Sequence, residues 1–136
     1  MTTFFDTNVL VYAAINQDSQ KQATSERLIK GALRSNTLII SPLVLSEMVF
    51  VLSKLNVLGD YRDSVRFFSR FSSPGISRSD VEKATDLADE LDAGKSINDL
   101  IHLVHAERCG CSAFVTFDKG FRRFADKVAI SIEVLD

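Results

Sequence analysis

Three apolar runs of this chain end on a polar residue able to start a helix. Phe4-Phe5 leads into Asp6, Thr37-Leu38-Ile39-Ile40 into Ser41-Pro42, and Ala113-Phe114-Val115-Thr116-Phe117 into Asp118. Aromatic and β-branched residues favour strands. Asp and Ser are good N-caps, and Pro suits the first helical position. A strand that feeds a helix is the building unit of a parallel sheet, because a parallel neighbour is reached only by a crossover.

The segments between these runs read as helices. Val9-Leu10-Val11-Tyr12-Ala13-Ala14 continues from Asp6 as a buried helix. Asp18-Ser19 starts a second, with Ala23, Leu28, Ile29, Ala32 and Leu33 on its inner stripe. After Pro42 comes a strongly apolar helix over 43–52. Gly59-Asp60 reads as a break before an amphipathic helix over 61–71, whose greasy side holds Val65, Phe67, Phe68 and Phe71. Ser72-Ser73-Pro74-Gly75 reads as a turn, and Ile76-Ser77 as a very short strand. Ser79-Asp80-Val81-Glu82 has a capping-box pattern for a helix running to Leu91, and Asp92-Ala93-Gly94-Lys95 reads as a loop. Ser96-Ile97-Asn98-Asp99 opens the next helix, which Gly110 ends. A short helix over 121–124 and a strand over 128–134 close the chain. The expectation is an α/β fold: a mainly parallel sheet of about five strands, flanked by helices, in one domain over residues 1–136.

Composition removes several classes of function. Lys and Arg number 16 against 18 Asp and Glu, so the net charge of −2 neither advertises nor excludes a nucleic-acid partner. No apolar run is long enough to span a membrane. Met1-Thr2-Thr3 lacks the basic and apolar regions of a signal peptide, so the expected location is the cytoplasm. Cys109 and Cys111 are too few for a structural zinc site and are not spaced as a redox C-x-x-C pair. They read as free thiols, one at a helix end and one entering a strand.

Four carboxylates occupy telling positions. Asp6 and Asp118 follow apolar strands, where open α/β sheets bind ligands. Asp99 lies in the first turn of the helix leading to the Asp118 strand. Glu47 is the only charge between Leu43 and Leu52, and such a carboxylate is costly to bury unless it is paired or metal-bound. Capping accounts for Asp6 and Asp99, and a turn for Asp118, but neither accounts for Glu47. Two carboxylates about 5 Å apart repel by roughly 3 kcal/mol at an effective dielectric of 20. Four gathered together call for a counter-charge, and all-oxygen donors select Mg²⁺ or Mn²⁺. Such ions suit phosphodiester hydrolysis.

The motifs Phe5-Asp6-Thr7-Asn8-Val9-Leu10, Ser46-Glu47, Asp99-Leu100-Ile101 with Ala106 and Gly110, and Val115-Thr116-Phe117-Asp118-Lys119-Gly120-Phe121 occur in that order. Together they resemble the ordered motifs of PIN-domain ribonucleases, most closely the small single-domain toxins of the VapC type. The resemblance covers essentially the whole chain. It implies a Rossmann-like, three-layer fold and Mg²⁺- or Mn²⁺-dependent RNA cleavage. By motif position, Asp6, Glu47, Asp99 and Asp118 would hold the metal, with Thr7, Asn8 and Thr116 as polar neighbours. It also implies a cognate antitoxin, a type II toxin–antitoxin role and a homodimer.

Other residues keep two readings. His102, one turn after Asp99, is within reach of the same site as base or ligand, or is a packing residue. His105 reads as superficial. Lys119, Arg122 and Arg123, with Lys127, form a basic cluster after Asp118, suited to RNA phosphates or to a solvated face. Phe67, Phe68 and Phe71 read as core, or as part of a dimer or antitoxin groove. Two other functions compete. An aspartyl-phosphate phosphatase would want a second Asp where Asn8 stands. A non-catalytic PIN module would tolerate loss of an acid, and none of the four is missing.

Overall fold

A computed structural model describes all 136 residues. Four parallel strands form its one sheet: β1 (Thr3–Phe5), β2 (Leu38–Ile39), β3 (Ala113–Thr116) and β4 (Ser131–Val134), in the order β2-β1-β3-β4. The sheet is thus wholly parallel and one strand smaller than the sequence suggests. Ile76-Ser77 forms no strand; the loop there pairs instead through Ser72, which bridges Ile40 and prolongs the short β2 edge.

Six α-helices surround the sheet: α1 (Thr7–Ala14), α2 (Ser19–Ser35), α3 (Pro42–Lys54), α4 (Leu58–Ser69), α5 (Arg78–Glu90) and α6 (Ile97–Arg108). Two 3₁₀ segments, Gly94–Ser96 and Lys119–Lys127, replace the expected loop and short terminal helix. Successive residues of a strand point to opposite faces. Phe4 and Phe5 are both buried, as are Phe114 and Val115, so both faces of the central strands are covered. That is the three-layer arrangement. β4 is the exposed edge, and Glu133 on it faces solvent. No helix is long and apolar enough to cross a membrane.

Local chemistry explains the element boundaries. Asp6 caps α1, Asp18 caps α2, and Ser41 caps α3 ahead of Pro42. The break between α3 and α4 comes earlier than Gly59. It falls at Asn56, whose φ of 61° ends the helix, while Asp60 favours the first turn of α4 through the helix dipole. The capping box of α5 lies two residues before the predicted one: Ser77 is the cap and Asp80 its reciprocal partner. Gly110, with φ of 80°, follows α6 as predicted.

Topology fixes where a ligand can bind. From β1 the chain turns to β2 on one side, then returns past β1 to β3 on the other. The strand order therefore reverses between β1 and β3. In an open parallel sheet the crevice lies there, at the carboxyl ends. Asp6 follows β1, Asp118 follows β3, and the Asp6 N–H still pairs with the Val115 carbonyl at 2.9 Å.

Candidate metal centre

The carboxyl ends of β1 and β3 are stitched together by short polar side chains. Asp6 is 6% exposed. Its Oδ1 accepts from the Thr7 N–H at 2.8 Å, and its Oδ2 from the Thr116 hydroxyl at 2.8 Å and the Asn8 amide at 3.2 Å. Asn8 also donates to Thr116 Oγ1 at 3.1 Å and accepts from the Phe117 N–H at 3.1 Å. Thr116 Oγ1 in turn accepts from the Asp118 N–H at 3.0 Å. Asp118 Oδ1 accepts from the Gly120 N–H at 2.8 Å, and a Cβ on Gly120 would meet that oxygen at 3.0 Å. The glycine thus lets the acid fold over its own turn.

Glu47 arrives from α3. The helix buries Val44, Met48 and Leu52, spaced four apart, and this turns Glu47 toward the sheet edge. Its Oε1 accepts from the Thr7 hydroxyl at 2.6 Å and meets His102 Nε2 at 2.7 Å. Asp6, Glu47 and His102 each bring one donor atom within 4.8 Å of the others. His102 is 1% exposed and spends Nε2 on Glu47, so it is better placed to orient that carboxylate than to ligate in its stead.

All four predicted acids line one cleft of about 430 Å³, with Thr7, Asn8, Val11, Tyr12, Gln17, Phe50 and Val51. No Lys or Arg lines it. The electrostatics are those of crowded like charges. Asp99 is pushed up to about 6 by burial and by the charges of Asp6 and Asp118. Burial also raises Asp6, against the opposing effects of His102 and Thr116. Burial opposes ionisation of both His102 and Glu47, yet their contact wins, lifting the histidine and lowering the glutamate. Asp99 has no capping role to explain its place: Ser96 makes no side-chain cap hydrogen bond. The donor chemistry fits a hard divalent cation, being carboxylate oxygens in excess of any basic partner.

The basic cluster is only partly available. Arg123 donates to Ser96 Oγ and lies 4.6 Å over the Phe124 ring, and Lys127 pairs with Glu90 at 2.8 Å. Lys119 and Arg122 are exposed and make no ion pair. Cys109 and Cys111 are free thiols at the predicted places. Tyr12, Gln17 and Phe50 are cleft residues that sequence reasoning did not single out. For Phe50 the signal was present, since it follows Glu47 by three residues on one helix.

His105 is not superficial: it is fully buried, because α6 is buried at every residue from Leu100 to Ala106 and packs against α5. Its Nδ1 meets Asp80 Oδ2 at 2.7 Å and its Nε2 meets Ser73 Oγ at 2.7 Å. Ser73, His105 and Asp80 thus have the connectivity of a hydrolase triad. The surroundings do not support that chemistry. The Ser73 N–H is used by the Ile40 carbonyl, Pro74 has no N–H for an oxyanion, and the hydroxyl opens into no cleft. The cluster ties the loop after α4, and α5 itself, to α6.

A wholly parallel α/β sheet with an acidic cleft at its switch point defines a class of protein, and comparison with known families places it. The family model described as "PIN domain" matches residues 3–127, and the chain belongs to that family. No curated protein matches the chain. Among solved structures, it is similar to a chain of the crystal structure of VapBC2 from Rickettsia felis bound to a DNA fragment from their promoter. The TM-score is 0.75 at 23% identity, with 100% of both chains covered. At that identity the likeness speaks for the fold.

Proposed function

We propose that the protein is a Mg²⁺- or Mn²⁺-dependent endoribonuclease, the toxin of a type II toxin–antitoxin pair. The observation that carries this reading is the gathering of Asp6, Glu47, Asp99 and Asp118 around one cleft without a Lys or Arg among its lining. These four residues would hold the metal. Thr7 and His102 orient Glu47, while Asn8 and Thr116 orient Asp6. A divalent cation held there would supply activation of water and charge to offset the phosphodiester and its leaving oxygen. Lys119 and Arg122 are the free cations after Asp118 and are assigned to RNA phosphates; Arg123 is partly committed to Ser96. The similarity to the VapBC2 structure supports a cognate antitoxin partner. Homodimer formation and a cytoplasmic location belong to the same reading.

The phosphatase alternative loses ground at Asn8, whose amide is spent on Asp6, Thr116 and Phe117. A non-catalytic module leaves four crowded carboxylates without a purpose. The deciding experiment is Asp99→Asn. Asn caps a helix as well as Asp does, so a structural Asp99 tolerates the change. As a metal ligand, its loss lowers RNA cleavage by orders of magnitude. The metal-free variant then melts at the wild-type temperature or above. Stabilisation by Mg²⁺, about 2.7 kcal/mol at a hundredfold excess over Kd, shrinks. A folded variant that cleaves at the wild-type rate refutes the assignment.

A further inference from the structure

We propose that Phe50 is a stacking platform for an unpaired RNA base beside the scissile phosphate. The proposal rests on the ribonuclease reading above and names how that site selects its substrate. Phe50 is 67% exposed, the most exposed aromatic of the chain. A single exposed apolar residue needs no explanation in general. This one differs in its position, for it lines the same cleft as Glu47, Asp99 and Asp118. It stands one turn along α3 from Glu47, on the same side of the helix and about 4.5 Å farther along the axis.

Its ring is also free. The other cleft aromatic, Tyr12, packs edge-on to Phe117 at 5.1 Å with Lys21 5.1 Å over its ring. The other exposed aromatic, Phe67, contacts Phe68 and Phe71, each at 5.5 Å. Phe50 makes no ring contact. Val11 and Val51 extend the apolar wall next to it. A ligand of this cleft therefore meets both carboxylates and a free apolar ring. A nucleotide matches both, with its phosphate toward the acid-bound cation and its base over the ring. A base stacked within a duplex has both faces covered, so this platform selects single-stranded or looped RNA.

The test uses the full chain and RNA oligonucleotides carrying 2-aminopurine beside the cleavage site. Because Phe50 is exposed, its replacement leaves the core intact. Phe50→Ala and Phe50→Leu raise KM roughly tenfold with kcat little changed, and Phe50→Trp restores it. Stopped-flow mixing shows 2-aminopurine quenching before cleavage with wild type and Phe50→Trp, and none with Phe50→Ala. Cleavage falls when the target is fully paired. If Phe50→Leu behaves as wild type, the residue is mere apolar cover and the proposal fails. It also fails if Phe50→Ala keeps its KM and quenching while losing a protein partner. A wild-type protein that cuts RNA alongside an unaffected Phe50→Ala removes only the stacking role; a wild-type protein with no metal-dependent cleavage removes the ribonuclease reading with it.

Discussion

Helix α6 carries two histidines one turn apart, and each meets a carboxylate at 2.7 Å. Their surroundings differ in one respect. Asp80, beside His105, is fully buried and fully answered. It takes two bonds from Arg108, at 2.6 and 3.0 Å, and one from the Ser77 N–H at 3.0 Å. Burial opposes its charge, but those partners hold its carboxyl well below the usual range. Glu47, beside His102, shares its single histidine with Asp6 and Asp99, and both of those acids are raised. The first cluster is complete within the protein. The second is short of positive charge, as the proposed metal site would be before its cation binds. The finished network ties elements together, and the unfinished one lies in the cleft proposed as the active site.

The largest effect expected is on the finished side. Asp80→Asn leaves Arg108 without its counter-charge and His105 without its carboxylate partner, and weakens the α5 capping box. Breaking a buried pair costs about 3–5 kcal/mol, and the partial exposure of Arg108 puts this one near the lower end. Tm should fall by on the order of 10 °C, equally with EDTA and with Mg²⁺. A loss common to both conditions, in a variant whose residual folded fraction still cleaves RNA, separates this cluster from the cleft. A change in metal affinity would join them.

The two clusters also predict opposite slopes with pH. Asp99 has a pKa of about 6 in the fold against an ordinary 3.8, so between those values the native state holds a proton that the unfolded chain has released. Stability of the metal-free protein therefore falls as pH rises through 6. Asp6, raised by burial, acts in the same direction. So does His102, whose raised pKa gives stability that is full below its ordinary 6.5 and lost above its folded value. Discounted for the partial exposure of Asp99, its share of the loss from pH 5 to pH 8 is on the order of 1 kcal/mol. Asp99→Asn or saturating Mg²⁺ should flatten the slope. The Asp80 contribution runs the other way: present above its ordinary 3.8 and lost only as acid reaches its depressed pKa. Melting curves from strong acid, below the depressed Asp80 value, up to pH 8, with EDTA and with Mg²⁺, resolve the two windows.

How much of this was readable in the sequence follows from range. The strand-to-helix steps at Asp6, Ser41 and Asp118 are local, and local rules placed them correctly. The four acids could be collected because strand ends and helix starts converge in any parallel sheet. What failed depended on distant partners. His105 looks superficial until α5 brings Asp80 against it across 25 residues. The bridge from Ile40 to Ser72 has no local signature, and the strand expected at Ile76-Ser77 was lost with it. The contact of His102 with Glu47 spans 55 residues, and orienting that carboxylate was neither of the readings for this histidine, base or ligand on one side and packing residue on the other. The capping box failed differently, because Ser77-x-x-Asp80 and Ser79-x-x-Glu82 satisfy similar patterns two residues apart.

The smallest effect sharpens the comparison at the two helix starts. α5 and α6 each carry a serine three residues before an aspartate: Ser77 and Asp80, Ser96 and Asp99. By pattern alone both are capping pairs. In the fold only the first is one. Ser77 Oγ accepts from the Asp80 N–H at 3.2 Å, and Asp80 Oδ2 accepts from the Ser77 N–H at 3.0 Å. Ser96 caps nothing; its hydroxyl accepts from exposed Arg123, and Asp99 turns to the cleft. Ser77→Ala should therefore cost about 1 kcal/mol, the usual loss for a serine cap, or several degrees in Tm. Ser96→Ala removes one exposed surface contact and should stay within about 0.5 kcal/mol of wild type. Equal losses would mean that Asp99 belongs to a working capping box. The case for it as a member of the metal centre would then rest on the cleavage assay alone.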